Sequence, residues 1–202
     1  MNNKAFHPIQ IIITVLIFSA CDLIVTTLFQ DILRVPFFFD TIFMIATLFL
    51  LGPVAAICEY LLFITLVCIK LLILFGTFYY VYLYTLSALT IIFVTWLFIR
   101  KKENLKKGVN MTFLYILTAS IAAGLACAVV SGLISTLSVN LDQKKWIFDQ
   151  IIYAFYGEQF NYLASAVLGR IPVTILDRII TTFAGYGVFK LYNHFYSKTK
   201  RH

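Results

Sequence analysis

Residues 78–108 read FYYVYLYTLSALTIIFVTWLFIRKKENLKKG. The first 22, Phe78 to Ile99, carry no charge, and a helix crossing the ~30 Å hydrocarbon core of a bilayer needs about 20 predominantly apolar residues. The next nine, Arg100 to Gly108, hold five lysines and arginines and form the one long polar run in the interior of the chain. An apolar run closed by a short basic loop predicts a membrane-spanning helix whose basic end faces the cytoplasm.

On either side the same pattern recurs. Apolar runs bounded by charge or turn residues predict further spans at 9–29, 37–51, 53–75, 111–137 and 163–191. The second is short, with 15 residues. Asp31 and the stretch Arg34 to Pro36 separate the first two spans, Gly52-Pro53 turns the chain into the third, and Gly76 is a weak break before the fourth. Composition agrees: 61% of the 202 residues are hydrophobic, 12% are charged and the mean hydropathy is +0.92. Soluble domains are roughly 45–50% apolar, so a water-soluble domain is excluded and little chain remains for a separate catalytic one. The expectation is an all-α integral membrane protein, a six-transmembrane-helix bundle forming a single domain over residues 1–202.

The net charge of +7 is read through its placement. With six spans and both termini cytoplasmic, Lys4, Arg100, Lys101, Lys102, Lys106, Lys107, Lys190, Lys198, Lys200 and Arg201 lie inside, while Arg34, Lys144 and Lys145 lie outside. The excess is therefore a topological signal rather than one for nucleic acid. Phe18-Ser19-Ala20-Cys21 faintly resembles a lipoprotein cleavage site, but the apolar run continues to Phe29 and one basic residue precedes it, which fits an uncleaved span better. In the outer connection 138–160, Ile147, Phe148, Ile151, Ile152 and Phe155 share a helical face and predict an interfacial helix near 145–156.

Ionisable side chains within a span cost about 2.5–3.5 kcal/mol each near its centre, so they face protein or water. Arg170, Thr174, Asp177, Arg178 and Thr181 fall within about 100° of arc on the last span, a single polar stripe. Two roles are open to it: an ion-pair network that locks the helix into the bundle, or a ligand-binding or gating surface. Asp22, Asp40 and Glu59 are candidate counter-charges, with Asp40 placed near the outer end of its span. Lys70 is close enough to a span end to snorkel. Outer aromatics, among them Tyr80, Tyr84 and Trp146, form an interfacial belt or, with Glu158 and Asn161, the wall of a pocket for a small polar molecule. Ser120, Gly124, Ala128 and Gly132 recur every four residues in the fifth span, a small-residue face for intramolecular packing or for docking a separate membrane protein. Cys21, Cys58, Cys68 and Cys127 lie in apolar runs without metal-ligand spacing, and the histidines His7, His194 and His202 sit near the termini. No phosphate-binding loop, serine elbow or metal cluster is present, so no catalytic residue, metal or cofactor is predicted.

Two stretches, Pro36-Phe37-Phe38-Phe39-Asp40-Thr41-Ile42-Phe43 with Leu51-Gly52-Pro53, and Gly169-Arg170-Ile171-Pro172 through Asp177-Arg178 to Gly185-Tyr186-Gly187, resemble the substrate-binding S components of bacterial energy-coupling-factor (ECF) transporters. The resemblance extends in layout over nearly the whole chain and in residues over those two stretches. It implies a multi-pass protein of the bacterial cytoplasmic membrane that captures a vitamin-like or other small solute outside. Delivery would go through a transmembrane T component and two cytoplasmic ATPase subunits, without ATP hydrolysis by this chain. Members of the family often dock through a small-residue face on the first helix, where this chain offers only Ser19-Ala20-Cys21. Similar modules are attached to signalling domains, so a non-transporting sensor or assembly subunit is the alternative.

Overall fold

The computed structural model describes residues 7–33, 35, 37–76, 80–100, 108–138 and 162–199, and every element among them is helical. They are α1 (Pro8–Thr26), continued by a π-helical stretch (Thr27–Ile32), α2 (Ile42–Leu50), α3 (Pro53–Phe75), a 3-10 turn (Tyr80–Tyr84), α4 (Thr85–Ile99), α5 (Val109–Ser138) and α6 (Tyr162–Thr199). Proline opens α1 and α3, where its missing N–H costs no hydrogen bond. Gly52, at φ 97°, makes the turn between α2 and α3 that a side-chain-bearing residue would resist.

Four of these segments are long and apolar enough to cross a bilayer: Pro8–Ile32, Pro53–Leu74, Val81–Ile99 and Val109–Thr136. The six expected from the sequence are thus four by length and composition, and each of the other two departs for its own reason. α2 is apolar but its nine residues rise only about 14 Å. Its residues Met44 to Phe49 are buried in unbroken succession, so it is a half-length helix enclosed on all sides by α1, α3, α4 and α6. α6 is long, 38 residues, but is interrupted by Arg170, Asp177 and Arg178. Apolar residues such as Ile12, Leu16, Ile73, Phe93, Leu125 and Leu133 remain on the outside, as lipid contact requires. Exposed Thr65 and Thr118 and half-buried Thr90 turn their hydroxyls back onto the carbonyl four residues earlier, which satisfies them without water.

In a bilayer, burying an apolar side chain gains little over leaving it in lipid, so close packing and polar contacts specify the arrangement. The small-residue face of α5 illustrates this. Ser120 and Ala128 are fully buried, and a Cβ added at Gly124 would stand 2.9 Å from the Ile175 Cα and one at Gly132 2.6 Å from Val167 Cγ2. The face is therefore filled by α6 of the same chain and is not open to a separate partner, which corrects the docking role for Ser120, Gly124, Ala128 and Gly132. Gly124→Leu is expected to destabilise the bundle by about 1–3 kcal/mol through overpacking against backbone. Gly187→Ala, where a Cβ meets nothing within 4 Å, should leave thermal unfolding in detergent unchanged or slightly raised.

The ends of the bundle are chemically distinct. Lys70 of α3 forms an ion pair with Asp31 beyond α1, and its ammonium also donates to Thr27 Oγ1 at 2.9 Å. At the other end, Gly52, Pro53, Trp96, Arg100 and Phe189 line a shallow cleft of about 200 Å³.

Candidate functional site

Past its π-helical stretch the chain re-enters the bundle as a non-helical segment, Phe37 to Thr41. Backbone without helical hydrogen bonds is tolerated at membrane depth only where protein or enclosed water satisfies it. Here the partners come from the π-helical stretch and α6. Asp177 Oδ1 accepts from the amides of Phe38 at 3.0 Å and Phe39 at 3.2 Å, while Gln30 Nε2 donates to the Phe38 carbonyl at 3.0 Å. Phe39 adopts φ 47°, a conformation rarely taken by an aromatic residue, and its ring is held between Phe29 and Phe37.

The N-terminus of α2 has no side-chain cap of its own. Asp22, one helix away on α1, supplies it: its two carboxylate oxygens accept from the amides of Phe43 at 3.1 Å and Met44 at 3.0 Å. A carboxylate at a helix N-terminus meets both unpaired N–H groups and the positive end of the helix dipole.

Arg178 joins these contacts. Its guanidinium is 3% exposed, forms an ion pair with the adjacent Asp177 and with Asp40 Oδ1 at 3.3 Å, and donates to Thr41 Oγ1. One buried cation thus faces two carboxylates, and the three groups clasp the non-helical segment to α6. Thr181 donates to the Asp177 carbonyl at 2.8 Å and Thr174 to the Arg170 carbonyl, so both threonines serve their own helix.

Of the residues singled out in the sequence, Asp40, Asp177 and Arg178 come together. Asp40 stands against Arg178, with 22% of its side chain still exposed. Thr174 lies on the same face, and half-buried Arg170 is two turns away, about 12 Å along the axis. Tyr84 is half-buried at the end of the 3-10 turn, which also includes Tyr80. Trp146, Glu158 and Asn161, and the interfacial helix expected near 145–156, lie outside the described residues. Asp22 and Glu59 are not the counter-charges expected as candidates for Arg178: Asp22 serves backbone amides, and Arg178 takes its carboxylates from Asp40 and Asp177. Thr41 and the amides of Phe38 and Phe39 were not foreseen, because nothing in a run of phenylalanines marks where a helix will be broken. Among the described residues no three His, Cys, Asp or Glu side chains are grouped to hold a metal ion.

No family model, curated protein or solved structure matches the chain.

Proposed function

We propose that this chain is the substrate-binding membrane subunit of an ATP-driven importer of the energy-coupling-factor type. In this reading it takes a vitamin-like or other small solute from the outer side of a bacterial cytoplasmic membrane and passes it on with a T component and two ATPase subunits. The observation that carries the reading is the broken second span: a non-helical segment held inside the bundle by Asp177 and Arg178 above a half-length helix. Interrupted helices at membrane depth recur where a solute is bound, since their free backbone groups and helix ends supply polar contacts.

The six-span topology belongs to the same reading. The five residues Phe37 to Thr41 add at most ~18 Å to the ~14 Å of α2, enough together for one crossing of the ~30 Å core. α6 then makes the last crossing with Asp177 and Arg178 buried. Gly52, Arg100 and Phe189 meeting at one end supports a cytoplasmic placement for that end, with Asp31 and Lys70 outside.

The test is retention. Native mass spectrometry of the protein purified from its own membranes is expected to show a bound small solute, and affinity purification to bring down ATPase subunits. Finding neither removes the proposal. Arg170→Ala is expected to keep the fold and weaken solute retention by about tenfold, or about 1.4 kcal/mol. Unchanged affinity in a folded Arg170→Ala protein takes Arg170 out of the site.

A further inference from the structure

Glu59 of α3 has 0% of its surface exposed, and neither carboxyl oxygen receives an N–H or hydroxyl donor. It lies at the contact between α1 and α3, where the Ser19 hydroxyl donates to the Glu59 carbonyl at 3.2 Å. Asp22 is one turn farther along α1 and also 0% exposed, and its carboxyl group faces that of Glu59. Beyond Asp40 are Asp177 and Arg178 of α6. Cys21, Cys58 and Tyr60 are the ionisable neighbours in sequence, with Cys58 on the exposed side of α3, while α2 and α4 contain no ionisable residue.

Charge accounting at this place is unequal. Arg178 is engaged by Asp177 and Asp40, and among the described residues no cation lies within ion-pair distance of Asp22 or Glu59. Asp22 has two amide donors for its negative charge, and Glu59 has none. A second bare carboxylate would cost several kcal/mol in these surroundings. Two facing carboxyl groups without a cation resist ionising together, the logic of paired acids that share one proton. A metal ion fits poorly, because both oxygens of Asp22 already face amides.

We propose that Asp22 and Glu59 form a proton-binding site at the buried start of α2, with the anion on Asp22 and the proton on Glu59. The site goes beyond the transport reading and does not depend on it. Releasing the proton places a second anion beside Asp22 and loosens its hold on the Phe43 and Met44 amides, so the proton keeps the half-length helix seated.

Infrared spectroscopy of the full-length protein in lipid vesicles tests this. At neutral pH the wild type should show the carbonyl band of a protonated buried carboxyl, removed by Glu59→Gln and retained in Asp40→Asn. Glu59→Gln, an uncharged isostere of the protonated acid, is expected to fold normally. Its thermal stability should exceed that of the wild type by a margin that widens as pH rises, because the wild-type fold alone must keep a proton that a solvated carboxyl has given up. Absence of a Glu59-dependent carboxyl band at neutral pH overturns the proposal, as does failure of Glu59→Gln to fold. Stabilisation of the wild type by sodium chloride but not choline chloride, lost in Glu59→Gln, overturns it in favour of a metal cation.

Discussion

Asp177→Ala is expected to destabilise the protein by about 3–5 kcal/mol, the cost of removing one partner from a buried ion pair. The side chain does three things at once: it neutralises Arg178 and accepts from the amides of both Phe38 and Phe39. Alanine leaves Arg178 with the looser Asp40 contact and leaves two enclosed donors unpaired. Unfolding in mixed micelles reads the loss, which is a large fraction of a native stability of ~5–15 kcal/mol. A combined variant separates the contributions. Asp177→Ala combined with Arg178→Met and Asp40→Asn removes all three charges and should recover part of the loss, since a buried cation left with only the looser Asp40 contact is what makes the single change severe. The two amides stay unpaired, so recovery should stop short of the wild type by about 1–3 kcal/mol for each buried donor. Full recovery would mean that the amide contacts contribute nothing to stability.

That arrangement also marks how far the amino-acid pattern could be read. The helical membrane character follows from long apolar runs and from the placement of basic residues, and those features are local. The stripe Arg170, Thr174, Asp177, Arg178 was visible because 3.6-residue periodicity places these residues on one side whatever lies opposite. What lies opposite was not visible. Residues 37–51 are apolar throughout except Asp40, Thr41 and Thr47, and an apolar run of that length has the same composition whether it is one helix or an irregular segment feeding a half-length one. The decision is made by Asp22 and Asp177, remote in sequence, which supply the hydrogen bonds the irregular backbone needs. Likewise, the repeated Ser120, Gly124, Ala128 and Gly132 announce a close approach without saying by which helix. Ile175 and Val167 of α6 answer that through contacts that no spacing within α5 encodes.

Asp22→Ala should cost about 2–6 kcal/mol, from two buried amide donors left unpaired at about 1–3 kcal/mol each. The loss is expected to be local before it is global. Met44, Ile45 and Leu48 keep α2 packed along its length, whereas the Phe43 and Met44 amides have no other acceptor at the start of the helix. Hydrogen exchange followed by mass spectrometry should therefore show faster exchange in a peptide covering residues 38–45 than in one covering α5, at denaturant concentrations that leave the bundle folded. Asp22→Asn makes the sharper comparison. Its single carbonyl oxygen can accept from one amide, while its NH₂ group faces the other donor to donor, and it carries no charge to meet the helix dipole. It should fall between wild type and alanine, nearer to alanine. An asparagine variant as stable as the wild type would show that the charge on Asp22 is dispensable and that any hydrogen-bonding side chain serves to start α2.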